Sequence, residues 1–187
     1  MRIYVPATLD ELDAVTHTSD AARWTVAPRR AHAVTKELEA ALPDEDAESL
    51  EYVAALNAAD DSLALIAGRT DAPNLRVIIT VEVPDSVVGP AAAGTADDDE
   101  DDEPVASEVE VTSTVEDVAI VCVHVDEPDA AADIEAVLAA ADEESDSEDV
   151  AEVGEESETL LDEALQRVTD RDLLWYDWSE IKNVPRA

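Results

Sequence analysis

The chain has 187 residues, 48 acidic and 11 basic, for a formal net charge of −37; 46% are hydrophobic, with three Trp, three Tyr and no Phe. This length predicts one domain with appendages, and the apolar fraction suffices for a core, which excludes wholesale disorder. So negative a chain repels nucleic acid and anionic membrane surfaces over most of its extent, leaving cations, a basic protein, or a small anion at one locally positive patch as the expected partners.

Ile3 and Val5 alternate with Tyr4, which predicts a short strand ended at Pro6. Thr8 and Glu11 then have capping-box spacing, with Leu9, Leu12 and Val15 behind them for a helix. Tyr52, Val53, Leu56, Leu63 and Ile66 recur at helical spacing between Ala47 and Ala67, and Gly68 follows as a C-terminal cap. Val77, Ile79, Val81 and Val83 form one apolar face of a strand, and Val109 and Val111 suggest a weaker one. Residues 118–123 are all apolar and β-branched-rich, as in a central strand covered on both faces.

Asp126 and Pro128 introduce a helix bearing Ile134, Val137, Leu138 and Ala141, with Asp126 as its cap. Leu160, Leu161, Ala164, Leu165 and Val168 lie on one stripe of another helix. The segment Leu173-Leu174-Trp175-Tyr176 reads as a strand, and Asp177 with Glu180 caps a last short helix through Ile181. Residues 97–103 are seven consecutive acids, and 142–163 hold twelve more with no base, so disordered acidic insertions are expected at 89–104 and 142–158.

Alternating strands and helices predict an α/β fold: a two-layer or three-layer sandwich with one mixed sheet of about four or five strands and amphipathic helices. A single domain is expected over 1–187, with 160–187 docking back on the core because Trp175, Tyr176 and Trp178 carry large apolar surfaces.

The segments Met1-Arg2-Ile3-Tyr4-Val5-Pro6-Ala7-Thr8, Arg30-Ala31-His32-Ala33-Val34-Thr35, His124-Val125-Asp126 and Leu173-Leu174-Trp175-Tyr176 resemble an uncharacterised actinobacterial protein family. The resemblance spans most of the chain except the acidic tracts. No activity, cofactor or catalytic residue is established for that family, so the resemblance implies no chemistry.

Residues 21–36 contain no acid and four bases, an exception in this chain. Arg23, Arg29, Arg30 and Lys36, with His32 as a further donor and a helix starting near Thr35, are the candidate anion-binding site. The plainer alternative is that these arginines pair with the protein's own carboxylates. His124 and Asp126 are secondary candidates at the end of the apolar strand, with alternation setting His124 on the face of Ile120 and Cys122. A lone histidine there is more often a core residue, and capping explains Asp126. Asp60 lies at the edge of the long helix's apolar stripe; a half-buried carboxylate there could transfer protons, but pairing with an arginine such as Arg76 or simple outward snorkelling costs less. For Trp175 and Tyr176, core packing outweighs stacking on a ligand ring.

Dispersed histidines and one cysteine, Cys122, leave no metal motif, and Cys122 reads as a buried thiol. Asp97, Asp99, Asp101 and Glu108 have calcium-loop spacing, but Asp102 replaces the required glycine. Glycines at 68, 89, 94 and 154 build no phosphate loop, dinucleotide fingerprint or nucleophile elbow, so no cofactor is expected. Carboxylates are too numerous for spacing to single out a catalytic pair. The function stays unknown at this level: the reading leans away from an enzyme and towards a binding or regulatory module with a basic anion site. One alternative is an acidic interaction protein engaging a basic partner; another is an enzyme with carboxylate chemistry. The absence of a long apolar run and of a signal-peptide core predicts a cytoplasmic, non-membrane protein.

Overall fold

A computed structural model of the chain describes residues 1–69, 71–91, 105–147 and 154–185. Among them, β1 (Arg2–Ala7), β2 (Thr16–His17), β3 (Ala22–Val26), β4 (Arg29–His32), β5 (Val77–Glu82), β6 (Val88–Pro90), β7 (Glu108–Val111), β8 (Val115–Asp126) and β9 (Leu173–Asp177) form one sheet. Its order is β2-β3-β8-β5-β1-β4-β7-β6, and β9 pairs with β8 beyond β3. The helices are α1 (Lys36–Ala41), α2 (Ala47–Ala67), α3 (Ala131–Ser147) and α4 (Gly154–Thr169).

The α/β class is as expected, but the sheet has nine strands rather than four or five, and its pairings are antiparallel rather than mixed. The additional strands are short, and β4 reads Arg-Arg-Ala-His. Such segments take strand geometry from their neighbours more than from their own composition.

Two residues separate β3 from β4, yet β8, β5 and β1 lie between them in the sheet. A flat sheet would place them about 19 Å apart, whereas the linking chain spans at most ~11 Å. The sheet therefore curls over itself. Its concave face holds the main core: Ile3, Val5, Val77, Ile79, Val81, Val123 and Val125 with Trp24 and Val26. The residues after the capping box form a 3-10 turn, Leu9–Ala14, instead of an α-helix, and Leu9 and Leu12 complete this core with Ile181 and Val184 of the last turn.

The convex face carries the second set of side chains along each strand. Tyr4 and Ile78 pack there under Leu38 of α1 and Leu50, Ala54, Ala58 and Ala59 of α2. The alanines let the α2 backbone lie close to the sheet. Asp46 caps α2 by accepting from the Ser49 N–H at 2.9 Å, and the Gly68 N–H closes its last turn on the Ala64 carbonyl at 3.1 Å. Ile66 of α2 meets Ile134 and Val137 of α3 and Ala164 and Val168 of α4 in a third cluster.

Strand β8 contains a bulge at Val121: Ile120 pairs with Val81, but Cys122 pairs with Thr80. The extra residue reverses the alternation. His124 consequently lies on the convex face with Cys122 and Thr80, not on the face of Ile120 as simple alternation predicts. A second irregularity, between β3 and β8, coincides with Asp117, whose φ of 56° is left-handed. Helix occupies 142–147 and 154–158, which the composition assigns to an insertion; 148–153 and the acid run 97–103 lie outside the described residues.

Candidate functional site

The five candidate anion-binding residues do not converge. Arg29 and Arg30 share a cleft with Pro6, Ala27, Pro28 and Asp61, whereas Lys36 lines a different groove beside Glu37 and Glu39. Arg29 donates through both terminal nitrogens to the Glu11 carboxylate, at 2.6 and 3.2 Å, and to the Pro6 carbonyl at 2.7 Å, with its guanidinium 5.9 Å from the Trp24 ring centroid. Arg30 pairs with Glu108 at 3.2 Å, and Arg23 donates to the Asp117 carbonyl at 3.0 Å. The three arginines thus already face carboxylates or carbonyls of the chain itself.

His32 is buried rather than exposed to a ligand. Its Nδ1 lies 2.9 Å from Ser107 Oγ and its Nε2 3.1 Å from Asp61 Oδ2, and Asn57 Nδ2 donates to the same serine oxygen at 2.7 Å. One proton assignment satisfies every group: Ser107 donates to Nδ1, and Nε2–H donates to Asp61. The trio has the composition of a hydrolase triad, but Ser107 is fully buried and its oxygen is occupied, so no substrate carbonyl reaches it. The network ties β4 to α2.

Asp126 does not cap the following helix. Its carboxylate accepts from the Arg76 backbone N–H at 2.8 Å and from the Arg76 guanidinium at 2.9 and 3.0 Å; both residues are buried. Arg76 also donates to the Val168 carbonyl at 3.0 Å, which pins the end of α4 to β5 and β8. Asp60 snorkels outward to an exposed position, with enough of the carboxyl desolvated to raise it above the ordinary range against the pull of Arg76.

The convex face offers a different constellation. Strand register aligns two cross-strand rows there, Pro6–Ile78–His124–Trp175 and Tyr4–Thr80–Cys122–Asp177. Helix α2 covers the β1 end of these rows and leaves the β9 end open. The result is a groove of two adjoining cavities, about 280 and 350 Å³, that share Tyr52, Ala55, His124 and Trp175 as walls. Trp175 is 58% exposed, against the expectation that it packs in the core, whereas Tyr176 and Trp178 do pack against it; Tyr52, expected on the apolar stripe of α2, is 60% exposed.

The groove floor holds polar atoms that lack partners. Among the described residues, neither Thr80 Oγ1 nor His124 Nδ1 has a hydrogen-bond partner, although both atoms are buried. Desolvation lowers the His124 pKa, so its ring is neutral near pH 7. Burial raises the Tyr4 phenol above its usual value, with Glu51 adding to the shift, so this neighbour is neutral too. Cys122, a buried thiol, lines the same cavity.

A signal for this site exists in α2. The large apolar residues Tyr52 and Leu56 are exposed while the small Ala54 and Ala58 are buried, the inverse of a stripe packed by size. Periodicity alone counts Tyr52 and Leu56 as core.

Among the described residues no group of three or more His, Cys, Asp or Glu is arranged to hold a metal ion, and no helix is long and apolar enough to cross a membrane. Asp97, Asp99 and Asp101 lie outside the described residues. A model of a family of unknown function, DUF6912, matches residues 1–184. No curated protein and no solved structure matches the chain.

Proposed function

The chain belongs to DUF6912, a family of unknown function, and we propose that it works by binding: the groove between α2 and β9 takes a small molecule with a flat apolar body and at least one hydrogen-bonding group. One observation carries this reading. Thr80 Oγ1 and His124 Nδ1, buried and without partners among the described residues, sit beneath an open cavity walled by exposed Tyr52 and Trp175. Folded proteins satisfy nearly all buried polar atoms, and an orphan costs about 1–3 kcal/mol. Two orphans on one face of adjacent strands favour a ligand that supplies the missing bonds. The exposed rings offer it stacking surface, and the cavity size suits a compact organic molecule.

The basic cleft of Arg29 and Arg30 is the alternative seat, for an anion. It is less supported, because an anion there must compete with Glu11 and Glu108 for guanidiniums they already hold.

The test is ligand-observed NMR with three molecules of one aryl frame, 2-phenylethylamine, 2-phenylethanol and 3-phenylpropionate. We expect at least one to bind the wild type, to slow labelling of Cys122 by a thiol reagent, and to lose affinity at least tenfold in Thr80→Val and Trp175→Ala. Binding of none, or binding indifferent to both substitutions, overturns the reading. A 3-phenylpropionate signal lost in Arg30→Ala would move the site to the basic cleft.

A further inference from the structure

Resting on that reading, we propose that the ligand of the groove is a cation: a small arylalkyl or alkyl ammonium whose nitrogen sits over Thr80 and His124 and whose apolar body lies between Tyr52 and Trp175.

The charges around the groove favour that sign. Its walls carry two guanidiniums, Arg2 and Arg171, and three carboxylates, Glu48, Glu51 and Asp172. Arg2 is held by Glu51 and Glu82, and Arg171 by Glu127 and Asp133, so each cation already faces two carboxylates. Glu48 and Asp172 remain as excess negative charge at the mouth, within a chain of formal charge −37. A cleft whose charges leave a net negative balance concentrates cations and repels anions.

The polar chemistry agrees. A neutral imidazole and a threonine hydroxyl can both accept, and an ammonium brings up to three donors, so one nitrogen can satisfy Thr80 Oγ1 and a bare His124 Nδ1 together. A carboxylate ligand offers no donor for either lone pair. The rings supply the rest: a cation near a Trp or Tyr face is attracted by the ring quadrupole, more strongly when partly desolvated. Exposed aromatics, nearby carboxylates and buried acceptors together are the composition of an ammonium-binding cage, and here strand register and the α2 surface assemble them from β5, β8, β9 and one helix.

The experiment compares dissociation constants for the same three compounds on the full chain by titration calorimetry at pH 7.5, in 20 and 300 mM NaCl. The expected order is 2-phenylethylamine at least tenfold tighter than 2-phenylethanol, with 3-phenylpropionate weakest. The amine's advantage should shrink several-fold in high salt and in the Glu48→Gln/Asp172→Asn double variant. These two exposed residues lie outside the core, and near-UV circular dichroism checks that the variant keeps its fold. Alcohol or carboxylate binding as tightly as the amine overturns the cation assignment and leaves the binding reading intact. An amine affinity that neither salt nor the double variant weakens also overturns it. No binding by any of the three overturns both.

Discussion

At the scale of single residues, the hydrogen-bond inventory separates groups that hold the fold from groups that await something. Ser62 belongs to the first kind: fully buried, it donates to the Ala7 carbonyl at 2.7 Å and accepts from the Val77 N–H at 2.9 Å, stitching α2 to β1 and β5. Ser62→Ala leaves a buried donor and a buried acceptor unpaired, so a loss of about 2–3 kcal/mol is expected in urea unfolding at unchanged slope. Thr80 belongs to the second kind. Replacing its orphan hydroxyl by a methyl of the same shape removes a desolvation cost and breaks no bond. Thr80→Val is therefore expected to stabilise the ligand-free protein by about 1 kcal/mol in the same assay. A destabilised Thr80→Val would mean that the hydroxyl has a structural partner and that the groove floor is not waiting for a ligand. The buried Arg76–Asp126 pair sits at the opposite extreme: Asp126→Asn strands a guanidinium in the core and should cost about 3–5 kcal/mol.

At the scale of elements, what could be read from the sequence follows the size of each local signal. α2 combines a long helical stretch with a closing glycine, and it spans the Ala47–Ala67 that periodicity and Gly68 predict. β5 and the apolar part of β8 announce themselves as β-branched runs. β4 does not, because Arg29-Arg30-Ala31-His32 is polar and its strand character comes from pairing with β1 and β7, while β3 carries an apolar alternation of Ala22, Trp24 and Val26 that is only three positions long. The bulge at Val121 is equally silent: His124 and Cys122 share a face as alternation predicts, but the bulge puts Ile120 on the other one. Deleting Val121 removes the extra residue, so Cys122 follows Ile120 in a regular ladder with Val123 and Val125 still in the core and His124 still on the convex face; a dispersed two-dimensional NMR amide spectrum is therefore expected, and its loss would mean that β8 needs the bulge to fit its neighbours. The tie between α3, α4 and β9 carries a pH signature. Asp133 takes hydrogen bonds from Arg171 at 2.7 Å and Arg167 at 3.3 Å, which lower its carboxyl below the ordinary 3.8. A depressed carboxylate contributes stability above its unfolded value and loses it as pH falls through the folded value. Acid titration below about pH 4 should weaken this corner, and the stability of Asp133→Asn should fall less steeply over the same range. An identical acid profile in the two proteins would remove Asp133 from the account.

At the scale of the whole molecule, the shortage of cations organises everything else. Each described arginine lies beside a carboxylate, from Arg2 with Glu51 to Arg171 with Asp133, so the few positive charges serve as internal clamps. This is why a basic island conspicuous in the sequence does not stand out as a basic surface. Composition reveals that cations are scarce; only the fold shows which carboxylates surround them. Two opposed salt effects follow. Salt screens the attractive pairs, but exposed pairs contribute about 0–1 kcal/mol each and the buried Arg76–Asp126 pair is shielded from solvent. Salt also screens repulsion among 48 acids opposed by 11 bases. With the Debye length near 10 Å at 0.1 M, repulsion across the molecule is screened first and most. Repulsion therefore wins, and the melting temperature should rise steadily from about 10 mM to 500 mM NaCl, with most of the rise below about 150 mM. Removing residues 97–103 takes away seven acids and no base, so the truncated chain should melt higher at low salt and gain less from added salt. A melting temperature that falls with NaCl would mean that the arginine clamps, rather than the excess of carboxylates, set the electrostatic balance of the fold.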